Sequence, residues 1–304
     1  MTEIYDYIIV GSGSAGSALA YRLGESGKHR ILVLEYGGSD AGPLIQMPAA
    51  LSYPMNMKRY DWEYLAEPEA SLDGRRLVCP RGKVLGGSSS INGMIYVRGN
   101  AGDYDHWQET GADGWSYADV LPYFRRMEHA HGGAAGWRGS AGPLHVTRGP
   151  RDNPLHDAFV TAATEAGYAA VDDYNGYRQE GFGAADMTVW QGRRWSAANA
   201  YLRPALRRGN VKLVSGALVE KILIDGKTAT GVAYWKAGKR YEVTARAETV
   251  LAAGAINSPQ IMQRSGVGPG AVLQAAGVDV ILDRAGVGTN LQDHLEVYLQ
   301  IACL

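Results

Sequence analysis

Residues 5–35 read YDYIIVGSGSAGSALAYRLGESGKHRILVLE, and this stretch decides the fold. Residues 7–10 form a short apolar run with β-branched side chains, which is typical of a buried parallel strand. A glycine turn follows, and residues 15–26 then carry small and apolar side chains at helical spacing. Residues 31–34 supply a second apolar strand. The order strand, turn, helix, strand predicts the first unit of an α/β fold.

The turn contains Gly11, Gly13 and Gly16 in a G-x-G-x-x-G motif, here called the first glycine loop (residues 11–16). The three glycines permit the sharp turn, the approach of backbone to a pyrophosphate, and close packing of helix on strand. Glu35 ends the second strand about 20 residues later, where a carboxylate binds both ribose hydroxyls. The pattern predicts dinucleotide binding and disfavours NADP, but it does not separate FAD from NAD.

The composition is that of an ordinary globular protein, with 304 residues, 46% hydrophobic and 20% charged. This length suits one large α/β domain or two smaller ones. A net charge of -1 gives no electrostatic reason to expect nucleic acid or strong attachment to anionic lipid. Cys79 and Cys303 are too few for a disulfide framework, so a reducing, cytoplasmic setting is expected. We expect no membrane span and no signal peptide.

A second glycine-rich stretch, RGKVLGGSSSINGMIYVRGN, covers residues 81–100. Gly86 and Gly87 are followed by three serines, and residues 82–90 are here called the second glycine loop. Its N–H and hydroxyl donors suit a second part of an extended cofactor. A purely structural turn is the alternative, although it would not need three consecutive hydroxyls. We expect a helix or strand to follow from Asn92.

The rest of the chain predicts further elements that support this core. Helices are expected from Ser116 or Tyr117, over residues 154–167 with Asn153 as N-cap, and over residues 197–206. From Val211 onward, four apolar segments separated by glycine turns indicate an antiparallel meander. Residues 250–253 are expected to form a buried strand, with a helix from about Ser258.

Four motifs in order resemble the signatures of the glucose-methanol-choline (GMC) flavoprotein oxidoreductases. They are the first glycine loop, GKVLGGSSSIN (82–92), GAINSPQIMQRSGVG (254–268) and GVGTNLQDH (286–294). The resemblance covers the whole chain, but only about the first half of a family member. It implies an FAD-binding Rossmann-like domain with three layers (β/β/α), built from residues 1–45, 78–100 and 210–304. Residues 46–77 and 101–209 would be insertions on the cap or substrate side.

The resemblance also implies FAD as the cofactor, because so long a molecule needs both glycine loops. The residues implied for its adenosine diphosphate half are Gly11, Gly13, Ser14, Ala15, Gly16, Glu35, Tyr36, Val219, Ala253 and Gly254. Those implied along the flavin and ribityl chain are Gly82, Val84, Gly87, Ser88, Asn92, Gly93 and Met94.

Two departures from the family pattern affect the cofactor site. Tyr36 stands where the family usually has alanine, which is expected to change the packing over the adenine. Ile91 stands where related oxidases carry a histidine bonded to the flavin, so the FAD is expected to be noncovalent.

The family's catalytic base is a histidine near the C-terminus, and no segment here matches it. We therefore assign no catalytic residue. His294 is expected to be structural. His106, His129, His131, His145 and His156 show no metal-ligand spacing, so no metal site is expected.

By resemblance, the chain would oxidise a primary alcohol by hydride transfer to flavin, with choline the expected substrate and an acceptor other than NAD. The trimethylammonium group needs aromatic faces, and four side chains of the loop at residues 36–78 are candidates: Tyr53, Tyr60, Trp62 and Tyr64. The same aromatic residues would equally suit a surface loop that is anchored by its own side chains.

The alternative functions are a truncated, non-catalytic FAD-binding remnant, and a family oxidase or lyase acting on another alcohol. An NAD-dependent dehydrogenase is disfavoured, and peripheral attachment to the inner membrane face stays open.

Overall fold

The computed structural model describes residues 3–294, 296–299 and 302, so Cys303 lies outside the described residues. Its strands are β1 Glu3–Val10, β2 Ile31–Glu35, β3 Tyr64–Leu65, β4 Val78–Cys79, β5 Glu128–Ala130, β6 Leu144–Arg148, β7 Asp186–Met187, β8 Val189–Trp190, β9 Arg193–Arg194, β10 Val211–Ser215, β11 Leu218–Asp225, β12 Thr228–Lys236, β13 Lys239–Leu251, β14 Val267–Gly268 and β15 Leu282–Asp283.

The α-helices are α1 Ser14–Leu23, α2 Pro43–Gln46, α3 Ala101–Glu109, α4 Tyr117–Met127, α5 Pro154–Glu165, α6 Arg203–Leu206, α7 Gly254–Arg264 and α8 Gly270–Ala275. Short 3-10 helices cover Pro48–Ala50, Pro54–Asn56, Ala70–Leu72 and Gly87–Ser90, and a π-helical turn covers Ala198–Leu202. Within the described part of the chain, no helix has the length and apolarity needed to cross a bilayer.

The main sheet has the strand order β10-β2-β1-β13-β12-β11. Strands β10, β2, β1 and β13 are parallel neighbours, whereas β13, β12 and β11 form an antiparallel meander. Strand β13 belongs to both parts, because its first half pairs with β12 and its second half pairs with β1.

Two sequence predictions about this sheet are wrong. Residues 211–215 do not join the meander; they form the opposite edge, parallel to β2. Residues 250–253 are not a separate strand, since Val250 and Leu251 end the long β13. Apolar alternation identifies a strand but does not identify its neighbour, which explains both errors.

The parallel strands lie between two covering layers. On one side, Ile9, Ile31 and Val33 pack with Ala20 of α1 and Ala205 of α6. On the other side, buried residues of β1 and β2 pack against the meander in one cluster that includes Ile8, Leu32, Leu34, Val219 and Val232. Burying both faces of the parallel strands is what their continuous apolar runs require. The expected three-layer (β/β/α) Rossmann-like arrangement is confirmed.

The helices largely follow the sequence signals. Ser116 caps α4 by accepting a hydrogen bond from the N–H of Asp119 (3.3 Å), and Asn153 caps α5 through the N–H of Leu155 (3.0 Å). The helix expected over 197–206 begins as the π-helical turn and continues as α6. Residues 91–100 form neither a helix nor a strand, contrary to the expectation, and make one isolated bridge from Ile95 to Met187.

Candidate dinucleotide cleft

The first glycine loop joins β1 to α1 and leaves no room for side chains. Gly11 has a φ of 96°, and a Cβ there would lie 2.5 Å from the carbonyl oxygen of Ala252. A Cβ on Gly16 would lie 2.0 Å from the carbonyl oxygen of Gly11. Helix α1 has no side-chain cap, and its first residues, Ser14 and Ala15, are exposed on the cleft. Its free N–H groups can therefore bind an anion.

Glu35 lies at the end of β2 with its carboxylate buried behind the loop. Its Oε2 accepts hydrogen bonds from the N–H and the hydroxyl of Ser12, both 2.9 Å long, and its Oε1 accepts one from the N–H of Gly37 at 2.7 Å. Burial raises the pKa of Glu35, while these hydrogen bonds oppose that change. The carboxylate is thus fixed in orientation. Oε2 already accepts two hydrogen bonds, so Oε1 is the oxygen that keeps accepting capacity for a ribose hydroxyl.

The second glycine loop contacts the first directly. The N–H of Gly86 donates to the carbonyl of Ser12 at 3.0 Å. Gly87 has a φ of 56°, and a Cβ on it would lie only 2.7 Å from the Cα of Gly13. Because backbone touches backbone here, both loops face one space.

That space is a cleft of about 710 Å³. The first turn of α7 forms its far wall, so a second helix N-terminus adds free N–H groups to those of α1. Twelve predicted cofactor residues line the cleft: Gly11, Gly13, Ser14, Ala15, Glu35, Tyr36, Gly82, Gly87, Ser88, Val219, Ala253 and Gly254.

The other five predicted cofactor residues lie outside the cleft lining. Gly16 is buried beneath the first loop, and Val84 is buried in a cluster with Ile45, Tyr60 and Ile91. Asn92 is exposed, Gly93 is half-buried, and Met94 is buried with a φ of 64°. The Asn92 side chain accepts hydrogen bonds from the Met94 N–H (3.1 Å) and from Arg194 (2.9 Å).

The loop at residues 36–78, here called the aromatic loop, supplies three rings to the cleft. Trp62 stacks on Tyr36 with ring centroids 5.2 Å apart and on Tyr64 at 6.1 Å, and all three line the cleft. The Tyr64 hydroxyl donates a hydrogen bond to the side-chain oxygen of Asn257 in α7. Of the other two candidates, Tyr60 is buried in the Val84 cluster and Tyr53 is exposed; neither lines the cleft.

Sequence reasoning missed Ser12 and Asn257. Ser12 is the residue between the first two glycines, and its hydroxyl follows the common pattern of short polar side chains in turns. The sequence gives no signal that Asn257 belongs to the site, because its hydrogen-bond partner Tyr64 lies 193 residues earlier in the chain.

Sequence reasoning also missed a histidine cluster. One ring nitrogen from each of His129, His131 and His145 lies within 4.8 Å of the others. The expectation of no metal site rested on the spacing of these histidines in the sequence, which does not show that the fold brings three of them together. His106 and His156 instead lie beside the carboxylates of Glu109 and Asp157.

The sheet, the two touching loops and the buried carboxylate define a dinucleotide-binding protein of the Rossmann type. Residues 5–296 match the GMC oxidoreductase family model. This chain belongs to the GMC oxidoreductase family.

Individual relatives agree with that assignment. The chain is 62% identical over 299 residues to an oxygen-dependent choline dehydrogenase of Brucella anthropi, covering 98% of this chain and 54% of that protein. It is similar in structure to pyridoxine 4-oxidase from Mesorbium loti, with a TM-score of 0.87, 35% identity, and coverage of 91% of this chain and 55% of the other. An FAD-dependent oxidoreductase from Chaetomium thermophilum gives a TM-score of 0.83 at 31% identity, with coverage of 92% and 50%. The chain thus spans about half the length of the curated relatives it matches.

Proposed function

We propose that this chain is the FAD-binding part of an alcohol oxidoreductase that oxidises choline to betaine aldehyde and onward to glycine betaine. The observation that carries the proposal is the contact of Gly87 with Gly13, which brings both glycine loops onto one cleft. A cleft of about 710 Å³ with two helix N-termini suits a long, anionic dinucleotide. The 62% identity to a protein described as a choline dehydrogenase supports choline as the substrate.

The residues of the cleft fit FAD in the following way. The N–H groups of Ser14 and Ala15 would bind the pyrophosphate, Glu35 the adenosine ribose, and Gly87 with Ser88 the part of the molecule nearer the flavin. When bound, FAD supplies the acceptor for the substrate's hydride. A Cβ on Gly11 or Gly87 would collide with the backbone of Ala252 or Gly13, so the close approach of these backbone segments at the cleft requires glycine at both positions.

We further propose that residues 1–45, 78–100 and 210–304 form the FAD-binding domain, with 46–77 and 101–209 as insertions on the cap and substrate side. The protein would act in the cytoplasm and pass electrons to an acceptor other than NAD.

The main test uses the purified 304-residue chain. Flavin absorption bands in the visible spectrum are the expected result, and their bleaching when choline is added without oxygen would show that this chain carries the activity itself. A yellow protein that choline does not bleach would favour the alternative of a non-catalytic FAD-binding remnant. A colourless protein that does not take up added FAD would refute FAD binding itself.

A panel of other primary alcohols distinguishes the remaining alternative. Bleaching by one of them, with none by choline, would assign the chain to another activity of the family. A dye acceptor added to the same samples tests whether the reduced protein passes its electrons on.

We propose that the FAD is held noncovalently. Ile91 is 2% exposed and is packed among Ile45, Tyr60 and Val84, and an alkyl side chain there offers no nucleophile to the flavin. Acid precipitation is expected to release all of the FAD into the supernatant. Flavin that stays with the precipitated protein would contradict this.

We propose that Trp62 and Tyr64 pack against the adenosine half of FAD and do not receive the trimethylammonium group, since Trp62 stacks on Tyr36 and both rings line the cleft. Trp62→Ala is expected to lower the FAD content of the purified chain, with Tyr53→Ala, on an exposed ring, as the matched control. An unchanged FAD content in both Trp62→Ala and Tyr64→Ala would exclude this role.

A further inference from the structure

Three histidines converge on a small sheet outside the cleft lining. His129 on β5 and His145 on β6 are direct partners in the parallel strand pairing. His131 lies two residues beyond His129, and its N–H donates to the carbonyl of Val146 at 2.9 Å, which continues the pairing. Residues two apart in an extended chain face the same side, so the backbone itself brings the three imidazoles together.

Aromatic neighbours hold these rings in place. Nε2 of His131 and Nδ1 of His145 are 2.9 Å apart, so the two rings share one hydrogen bond. Trp190 stacks on both of them, with centroid distances of 4.0 Å and 4.5 Å. His129 lies 4.6 Å and 4.8 Å from the same two rings. The imidazoles are thus ordered before any ligand arrives, which lowers the entropic cost of binding.

We propose that His129, His131 and His145 form a binding site for a divalent transition-metal ion of the zinc type. Three imidazoles with an open fourth position are an established ligand set for Zn²⁺. Zn–N bonds of about 2.0–2.1 Å in a tetrahedral site put the nitrogens roughly 3.3 Å apart. One nitrogen from each ring lies within 4.8 Å of the other two, so the rings must rotate about their side-chain bonds to close the site.

The cluster is open to solvent on one side, and each of its side chains can offer a ring nitrogen to an ion. His131 is exposed and gives an ion access from solvent, while His129 and His145 are half-buried. Because the cluster is separate from the cleft lining, this proposal does not depend on FAD binding.

The experiment is calorimetric titration of Zn²⁺ into the metal-stripped 304-residue chain. We expect one Zn²⁺ per chain, and a dissociation constant weakened by about 100-fold in His145→Ala, since even the loss of an outer-shell partner weakens a site by 10–100-fold. His156→Ala, which changes a histidine outside the cluster, is the matched control and should bind as the unchanged chain does. No binding, or equal binding in all variants, would overturn the proposal.

A second variant covers the case in which His145→Ala fails to fold. His131 is exposed, so His131→Ala removes a ligand and a ring stacked on Trp190 but opens no cavity in the buried core. Zn²⁺ is expected to raise the unfolding temperature of the unchanged chain and of His156→Ala, but not that of His131→Ala. An equal rise in His131→Ala would place the bound zinc elsewhere and refute the site.

Discussion

Arg194 is a cation buried without a carboxylate partner among the described residues. It is 0% exposed, and it donates to the carbonyl oxygens of Ile45 (3.0 Å) and Asn92 (2.6 Å) and to the Asn92 side chain (2.9 Å). Burial lowers the pKa of Arg194 to about 10. The guanidinium therefore ties α2 to the end of the second glycine loop through neutral acceptors alone.

Replacing Arg194 should loosen that loop. We expect Arg194→Met to lower the free energy of unfolding by about 3 kcal/mol, because the buried carbonyl of Ile45 and the part-buried acceptors of Asn92 lose their donor. Chemical denaturation measures the change. Arg193→Met, at the exposed neighbouring position, should stay within about 0.5 kcal/mol. Equal effects in the two variants would show that the buried hydrogen bonds do not matter.

Glu35 should give the chain a stability that depends on pH. Since burial raises its pKa in the folded state, folding favours the protonated form, and this contribution is complete below the unfolded value of 4.5. It is lost as the pH rises through the folded pKa. The free energy of unfolding should therefore fall as the pH rises above 4.5, and part of that slope should be absent in Glu35→Gln. Chemical denaturation across this range tests it, and identical slopes would contradict it.

At the scale of elements, the contact between the two glycine loops depends on Gly87. We expect Gly87→Ala to destabilise the chain more than Gly238→Ala. Both glycines have a positive φ (56° and 75°), but a Cβ on Gly87 meets the backbone of Gly13 whereas one on Gly238 meets nothing within 4 Å.

Gly238→Ala should cost about 1 kcal/mol, the ordinary penalty for a left-handed alanine, and Gly87→Ala at least about 1 kcal/mol more. Denaturation and the FAD content of each purified variant are the measurements. Equal losses of stability in the two variants would mean that the chain relieves the close approach of Gly87 to Gly13 without an energetic cost.

The sequence predicts the elements whose signals are local. The unit β1-α1-β2 follows from periodicity and three glycines, and α4 and α5 follow from the caps Ser116 and Asn153. The sequence does not predict which segments far apart in the chain contact one another. The placement of β10 beside β2 and the unbroken length of β13 depend on which strands meet, and a strand's own pattern does not encode its neighbour.

The residues of the candidate sites also divide into those with a local sequence signal and those without one. Glu35 and the glycines have a recognisable spacing, whereas the histidine cluster arises only when the short strands β5 and β6 pair. Neither strand is long enough to show a clear period, so the sequence gives no signal that His145 lies opposite His129.

At the scale of the whole molecule, Tyr64 joins the aromatic loop to α7 across the cleft. We expect Tyr64→Phe to lower the free energy of unfolding by about 1 kcal/mol, the usual net value of one hydrogen bond. If FAD binds as proposed, its release should also become faster. Tyr53→Phe, on a ring that is 61% exposed, is the control. Equal stability of Tyr64→Phe and the unchanged chain would show that the hydrogen bond from Tyr64 to Asn257 does not contribute to stability.

The parallel pairing of β1 with β13 joins Glu3 to Val243. At ribosomal speeds of 5–20 residues per second, the nascent amino terminus would wait roughly 10–50 s for its partner to be synthesised. During that interval the apolar β1 has one side without a neighbour, so newly made chains should depend on chaperones until β13 has been synthesised.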